Sequence, residues 1–181
     1  SDQELIDVLV WVKSRMHPWI RLNRIIRDIP SGYIQGGFNI PNLRQYLPKI
    51  MKERKKECNC IRCREVKDRS ILAEKAVLIK REYDAQGGKE IFISYETPDK
   101  KIIFGFLRLR LPYFENIEYP DILSDCSLIR ELHVYGKLIK SQSKDTSHIQ
   151  HKSFGKNLIK EAERMSWANG YKKISVIAGI G

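Results

Sequence analysis

Three consecutive stretches rich in β-branched and aromatic residues constrain the fold of this chain more than any other feature. They span residues 75–83, 90–96 and 101–111, and they are separated by Gly87-Gly88 and by Thr97-Pro98-Asp99-Lys100. Strands joined by such short turns pair with their neighbours in antiparallel order. The sequence therefore predicts a three-stranded antiparallel meander.

The elements after the meander predict an α+β fold with one mixed sheet, rather than a doubly wound sheet. A strand is expected over 127–138 and another over 173–178. Between them lie a polar loop over 141–149 and an amphipathic helix that ends near Trp167, before Asn169-Gly170. Strand, loop, helix and strand thus follow one another in this order.

The residues before the meander predict a unit of helices and one strand. Apolar residues have helical spacing over 5–16, and Pro18 ends this helix. An alternation of apolar and basic residues over 19–26 is typical of a strand. A second helix is expected over 42–54, with Asn42 as its cap.

Three of the four cysteines fall within six residues: Cys58, Cys60 and Cys63. A tight turn can bring their thiols onto one tetrahedral ion, and zinc prefers such sulfur ligands. A structural zinc site needs a fourth ligand, for which we expect Cys126, with His133 or His17 as alternatives. An iron–sulfur cluster and three unliganded thiols are the competing interpretations.

Charge predicts the class of partner. Lysine and arginine outnumber acidic residues 33 to 22, which gives a formal net charge of +11 and a pI near 9.5. Such a charge predicts a polyanion, with nucleic acid ahead of an acidic membrane surface. The sequence has no run of eighteen apolar residues and no signal-peptide pattern at its first residues. We therefore expect a cytoplasmic protein with no membrane segment.

The segment that opens the last helix predicts an anion site. It would present unpaired backbone N–H groups and the positive end of the helix dipole to a phosphate. It resembles the pyrophosphate-binding element of the GNAT acetyltransferases, with Ser153 in place of the middle glycine. By this resemblance acetyl-CoA is the expected cofactor, with its pantetheine arm beside the preceding strand. The residues assigned to it are Leu132, His133, Val134, Gln150, His151, Lys152, Ser153, Phe154, Gly155 and Lys156.

An ordered set of short motifs along essentially the whole chain resembles the catalytic-subunit family of Elongator, in its archaeal or bacterial form. The motifs are Arg27-Asp28-Ile29-Pro30, Asn42-Leu43-Arg44-Gln45, Cys63-Arg64-Glu65-Val66, Ser94-Tyr95-Glu96, Leu107-Arg108-Leu109-Arg110, Arg130-Glu131-Leu132-His133-Val134-Tyr135-Gly136, Gln150-His151 and Ala162-Glu163. The resemblance implies a radical SAM barrel joined to a GNAT-type domain. Such an enzyme installs a carboxymethyl precursor on the wobble uridine of tRNA, using acetyl-CoA, SAM and a 4Fe-4S cluster.

The same resemblance divides the chain into three parts. Residues 1–57 correspond to the C-terminal part of the radical SAM α/β barrel, 58–72 to a zinc-binding linker, and 73–181 to a GNAT-type domain truncated at its C-terminus. The cysteine triad and glycines that hold the cluster and SAM are absent from this sequence. The implied partners are tRNA and either Elongator-type accessory subunits or a second copy of the chain.

Candidate roles follow from the resemblance. The candidate general bases are Glu96, Glu131 and His151, because GNAT enzymes use a carboxylate, or a water that it orients, to deprotonate the acceptor. Contacts to tRNA are assigned to Arg21, Arg24, Arg27, Lys55, Lys56, Arg62 and Arg64. His133 and Tyr135 are expected on opposite faces of their strand, so that at most one faces the cofactor cleft.

Two other functions are compatible with these motifs. The first is a protein lysine or histone acetyltransferase, although a basic histone tail would be repelled by a chain of charge +11. The second is a non-catalytic zinc-dependent RNA-binding module that keeps a CoA-binding fold as a scaffold. Chelator-sensitive RNA binding without affinity for CoA would distinguish this module from an enzyme.

Overall fold

The computed structural model describes residues 2–23, 25, 31–33, 43–67, 70–113, 120–135 and 151–178. The chain divides into two compact units, Ser1–Arg64 and Glu65–Gly181. This division lies inside the linker expected over 58–72 and places the three neighbouring cysteines in the first unit. Over the described residues, no helix has both the length and the apolar character needed to cross a bilayer.

The first unit is built around two helices that pack through their apolar faces. Its helices are α1 (Asp2–Ser14), α2 (Leu43–Glu53) and the short α3 (Ile61–Arg64), and Ser31–Tyr33 forms a 3-10 turn. Ile6 and Val10 of α1 pack with Leu43 and Leu47 of α2 in a buried cluster. Both longer helices confirm the expected helical spacing, whereas the sequence did not predict α3.

The strand expected over 19–26 is wrong for the part that is described, since residues 19–23 and 25 form no strand. The Ile20 carbonyl instead accepts a hydrogen bond of 2.9 Å from the Ile61 backbone N–H. The ring of Trp19 stacks on His17, with 4.5 Å between the ring centroids. The backbone of this segment therefore secures the start of α3 and does not pair in a sheet.

The second unit contains a five-stranded sheet. Its elements are β1 (Val77–Ala85), β2 (Gly88–Glu96), β3 (Ile103–Pro112), β4 (Cys126–Val134), α4 (His151–Ala168) and β5 (Lys173–Val176), with 3-10 turns at Ser70–Lys75 and Asp121–Leu123. The strands lie in chain order; the first four are antiparallel, and β5 runs parallel to β4. The expected meander and the final strand–helix–strand order are both confirmed.

Helix α4 covers one face of this sheet. Leu158, Ala162 and Met165 follow one another at helical spacing and are buried against apolar residues of the strands, among them Ile93 and Leu109. Burying a leucine or methionine side chain such as Leu158 or Met165 contributes roughly 1.5–3 kcal/mol, and the smaller Ala162 contributes less. The helix is thus fixed on the sheet, with its first turn near the end of β4.

Candidate functional site

The thiols of the first unit converge. The sulfur atoms of Cys58, Cys60 and Cys63 all lie within 4.8 Å of one another. Sulfurs of a tetrahedral zinc site are about 3.8 Å apart, given Zn–S bonds of about 2.3 Å, so a small adjustment brings the three onto one ion. The expected three-cysteine group is therefore present, and its chemistry fits zinc.

Short helix α3 explains this convergence. The Cys63 backbone N–H donates to the Cys60 carbonyl over 3.1 Å, which closes a turn between the two cysteines. Hydrogen bonds from Cys58 and Cys63 lower the pKa of the Cys60 thiol, and hydrogen bonds within the group raise the pKa of Cys58 and of Cys63. Cys60 is thus the member of the group whose surroundings most favour the thiolate, the form that binds metal.

The fourth expected ligand, Cys126, lies in the second unit. It is buried at the start of β4, and its thiol donates to the Ile122 carbonyl over 3.7 Å. His133 is exposed at the other end of the same strand, and His17 stacks on Trp19 in the first unit. The identity of the fourth ligand stays a prediction.

Two arginines assigned to tRNA hold the cysteine segment in place. Arg64 is 3% exposed, and its guanidinium donates to the carbonyls of Asn59 and Pro18 over 2.8 and 2.6 Å. Arg62 donates to the Asn23 carbonyl over 2.8 Å. These contacts give both residues a structural role.

The remaining tRNA assignments divide into two groups. Lys55 and Lys56 are exposed beyond the end of α2, and Arg21 is half-buried. Arg24 and Arg27 lie outside the described residues. Among the residues assigned to tRNA that the structure describes, Lys55 and Lys56 are therefore the ones that are exposed to solvent.

In the second unit, the free half of β4 is the candidate cofactor edge. Strand β5 pairs with β4 only from Cys126 to Ile129. From residue 130 to Val134, β3 is the one described strand that pairs with β4, with Arg130 as the extra residue of a β-bulge. Leu132 and Val134 are 40% and 38% exposed. This edge can hydrogen-bond an extended ligand that carries amide groups.

The first turn of α4 lies beside this free edge. Gly155 faces Val134, because a β-carbon built on the glycine would lie 3.6 Å from the nearest Val134 methyl group. Ser153 and Lys156 are exposed, and the first N–H groups of a helix have no partner within it. Anion-binding groups and an open strand edge are therefore neighbours.

Not every residue assigned to the cofactor can offer its side chain. Phe154 is buried, and its ring stacks on Tyr95 with 4.5 Å between centroids, so this residue can contribute its backbone N–H alone. His151 and Lys152 form the first residues of α4, whereas the placement of their side chains is not described. Gln150 lies outside the described residues.

The two candidate carboxylates occupy different environments. Glu96 has a fully buried side chain and binds both terminal nitrogens of Arg81 at 2.7 and 2.9 Å, while Ser94 donates to the same carboxylate. The Glu131 side chain is 39% exposed and pairs with Arg108 at 2.8 Å. Glu131 is therefore accessible to solvent and to a substrate, whereas Glu96 is enclosed within the sheet.

The expectation for His133 and Tyr135 is wrong. Their rings lie on the same side of β4, with 4.4 Å between centroids, and both approach Phe106 of β3. Residues two apart along a strand point to the same face, so the pair belongs together. This aromatic group lies at the free end of β4.

Sequence reasoning also missed a buried charge network on the strands. One Glu90 oxygen accepts from Arg110 at 3.1 Å and from Arg130 at 2.6 Å, and the Glu90 side chain is 2% exposed. Like the Arg81–Glu96 pair, it joins neighbouring strands. The alternation of Arg108 and Arg110 with leucines along β3 was the signal available in the sequence.

Comparisons with known proteins point to one group. The chain is 40% identical over 183 residues to Elongator complex protein 3 of Schizosaccharomyces pombe, covering 98% of this chain and 34% of that protein. It is 40% identical over 191 residues to the tRNA uridine(34) acetyltransferase of Methanocaldococcus jannaschii, covering 99% and 34%. The human Elongator complex protein 3 is 37% identical over 186 residues, covering 100% and 34%. No family model matches the chain.

A solved structure agrees with these relatives. The archaeal Elp3 of Methanocaldococcus infernus, with an N-terminal deletion, aligns with a TM-score of 0.76 and 36% identity, covering 97% of this chain and 42% of that one. The chain spans about a third of the length of the curated relatives it matches. Similarity therefore extends over this whole chain but over only part of each relative.

Proposed function

The chain is homologous over its whole length to part of the Elongator complex protein 3 family, and from this premise we propose that it binds acetyl-CoA and tRNA in an enzyme that modifies the wobble uridine of tRNA. The observation that carries the proposal is the free half of β4 beside the first turn of α4. This arrangement suits a long ligand with amides along its length and phosphates at one end.

The proposed roles of the cofactor residues follow from that arrangement. The backbone of Leu132, His133 and Val134 pairs with the pantetheine amides along the open edge. The first N–H groups of α4 and the ammonium of Lys156 bind the pyrophosphate. Bound acetyl-CoA would supply an acetyl group activated as a thioester. Among the candidate bases, Glu131 is the one whose described position allows proton exchange.

The proposed tRNA surface combines the exposed Lys55 and Lys56 with Arg21, Arg24 and Arg27. A net charge of +11 supports binding to phosphates, which does not depend on base sequence. Zinc at the cysteine group would order the residues that follow Lys55 and Lys56, since structural zinc contributes directly to folding. We propose that Arg62 and Arg64 support this surface through their hydrogen bonds to backbone carbonyls.

The remaining parts of the proposal concern the complete enzyme. In it, SAM and the 4Fe-4S cluster are held by residues that this chain lacks, and the first unit forms the C-terminal part of the radical SAM barrel. The second unit is proposed to be the GNAT-type domain. Accessory subunits of the Elongator type, or a second copy of the chain, are the proposed protein partners, and the cytoplasm is the proposed location.

Calorimetric titration of CoA into the chain tests the cofactor site. We expect Lys156→Glu to weaken CoA binding at least tenfold, because it places a negative charge beside the proposed pyrophosphate position. Lys172→Glu is the matched control, since it makes the same charge change beyond the opposite end of α4, and it should change the affinity less than twofold. Equal effects of the two variants, or no CoA binding by the unmodified chain, would contradict the proposal.

Binding of tRNA is tested separately by its salt dependence. The logarithm of the association constant should fall linearly with the logarithm of the salt concentration. Replacing Lys55 and Lys56 by glutamine should reduce the slope by about two, one for each phosphate that is no longer neutralised. An unchanged slope would move the tRNA surface elsewhere on the chain.

A further inference from the structure

Lys13 occupies a core position of α1 and lies against the cysteine group. Ile6, Val10 and Lys13 follow one another at helical spacing, and each is 5% exposed. The first two pack against α2, as expected for an apolar stripe. At the next position of this stripe, the Lys13 Nζ lies 3.9 Å from the Cys63 Sγ and donates to it.

An ammonium group in such a place needs an anion. Lysine is almost never fully buried unless it is paired, because removing its charge from water is costly. Asp7, an acidic residue of the same helix, instead binds Arg54 at 2.6 Å on the exposed side of α1. The partner that the structure shows for Lys13 is the sulfur of Cys63, which carries a negative charge when it binds metal.

A cysteine site that holds a metal ion has a net negative charge, which the Lys13 ammonium can offset. A divalent ion with three thiolates has a net charge of −1, and a fourth thiolate would make it −2. One ammonium beside the sulfurs reduces that charge by one unit, and because Lys13 is itself 5% exposed, water screens this attraction less than it would on the surface. The N–H donated to Cys63 also fixes the direction of the sulfur lone pairs, as outer contacts of metal ligands commonly do.

We propose that Lys13 is the positioning residue of the metal site: its ammonium orients Cys63 and neutralises the metal–thiolate centre. The inference rests on the proposed zinc site and adds a residue to it. Cys63 is the exposed member of the three cysteines, so it has the most to gain from such an anchor. The lysine thereby links the last turn of α1 to the loop that carries the metal.

The proposal is tested by measuring zinc affinity of the whole chain in competition with a chelator. Lys13→Met keeps the length of the side chain and removes the charge, and we expect it to weaken zinc binding tenfold or more, the range found for other outer contacts. Lys13→Arg keeps a charged donor and should remain within about threefold of the unmodified chain. Lys49→Met, at an exposed position of α2, is the matched control and should have no effect.

Cobalt provides a readout that a merely structural role would not change. A hydrogen bond to a thiolate stabilises the sulfur electrons, so Lys13→Met should move the sulfur-to-cobalt charge-transfer band to longer wavelength, whereas Lys49→Met should not. If Lys13→Met does not fold, the cobalt-loaded unmodified chain decides. The NMR signal of the Lys13 side chain is identified as the one that is absent from the spectrum of Lys13→Arg. In the cobalt-loaded unmodified chain this signal should show a large paramagnetic shift, and an unshifted signal would overturn the proposal.

The outcomes separate this inference from the zinc site itself. If the unmodified chain binds no zinc and its three thiols stay open to alkylation, both the site and the role of Lys13 are wrong. If the chain binds zinc, and Lys13→Met binds it equally well with the same cobalt spectrum, the role of Lys13 alone is wrong. If Lys13→Met binds zinc more weakly and has a shifted cobalt band, and Lys49→Met shows neither change, the role of Lys13 is supported.

Discussion

Buried charged residues show most clearly how single side chains determine this structure. The carboxylate of Glu96 was a candidate base from its place at the end of a strand, but the fold supplies it with Arg81 and Ser94. A buried ion pair adds little stability compared with an apolar pair of the same size, yet removing one partner leaves the other uncompensated. The effect of this ion pair on stability is therefore seen only when one partner is removed.

We predict that Glu96→Gln lowers the free energy of unfolding by about 3 kcal/mol, because Arg81 is then left with no counter-charge inside the sheet. The measurement is urea denaturation followed by circular dichroism. A double variant, Arg81→Met with Glu96→Leu, should lose less stability than the single one. A single variant as stable as the unmodified chain would show that this pair does not hold the strands.

At this scale, sequence reasoning succeeded where the residues that matter are close together in the chain. The spacing of Cys58, Cys60 and Cys63 was sufficient to predict convergence of their thiols. Lys13 was missed because 50 residues separate it from Cys63, and only the packing of α1 brings the two together. The contact of Arg64 with the Pro18 carbonyl was missed for the same reason, since 46 residues separate the two.

At the scale of elements, two glycines flank the end of β4 and differ in what they allow. A β-carbon on Gly105 of β3 would lie 3.0 Å from the His133 carbonyl oxygen, which is too close for a relaxed strand pair. A β-carbon on Gly155 of α4 would meet Val134 at an ordinary contact of 3.6 Å. The fold therefore needs the first glycine but not the second.

We predict opposite effects of Gly155→Ala on stability and on ligand binding. Alanine in a helix is favoured over glycine by about 1 kcal/mol, so the variant should unfold at a higher urea concentration. The added methyl group also enters the space between α4 and β4, where the backbone is proposed to approach the cofactor, and should weaken CoA binding about tenfold. Equilibrium unfolding and calorimetric titration check the two effects.

The matched control for this variant is Gly105→Ala, which should be destabilised by about 1–3 kcal/mol because its methyl group has no room. If Gly155→Ala gains stability and binds CoA as before, the ligand does not lie against this turn. If it loses stability, the space beside Val134 is smaller than the structure indicates.

A second element-level contact joins α4 to β1. Glu161 accepts two hydrogen bonds from Arg164 and one from Lys80 of β1, and these cations hold the pKa of Glu161 at about 2, below its ordinary 4.5. A carboxylate with a lowered pKa stabilises the fold fully above pH 4.5, and this contribution is lost as the pH falls towards 2. Because Arg164 is exposed, the contribution is about 0.5–1 kcal/mol.

We therefore predict that Glu161→Gln flattens the pH dependence of stability between pH 4.5 and 2. Above pH 4.5 the variant should be slightly less stable than the unmodified chain, and near pH 2 the two should converge. Urea unfolding at several pH values is the measurement, and Glu163→Gln on the exposed side of the same helix is the control. Parallel curves for the unmodified chain and Glu161→Gln would rule out this contribution.

At the scale of the whole molecule, the second unit was easier to predict than the first. Turn residues such as Gly87-Gly88 separated the strands, and each strand pairs with its neighbour in the chain, so local patterns were sufficient. Residues 19–23 carry an equally strand-like pattern, but no partner strand is supplied to them within the described part of the chain. Whether a segment pairs as a strand depends on the rest of the unit, and a local sequence pattern does not contain that information.

This contrast predicts that the two units depend differently on metal. The second unit has a five-stranded sheet covered by α4. Within its described residues, the first has a small buried cluster between two helices and no strand. A small apolar cluster contributes limited stability, which a bound metal can raise appreciably, and the cysteines here are free thiols. Metal binding should therefore contribute a large share of the stability of the first unit.

We predict that a chelator lowers the melting temperature of the first unit by at least 10 °C, since zinc at a thousandfold excess over its dissociation constant contributes about 4 kcal/mol. Fluorescence of Trp19, measured with Trp11 and Trp167 changed to phenylalanine, reports this unit, and circular dichroism of the strands reports the second. The strand signal should move by less than about 3 °C. In Cys60→Ser the chelator should have no further effect. If both signals instead melt together at the same temperature with and without chelator, the cysteines do not hold a structural metal, and the stability of the first unit must come from its helices alone.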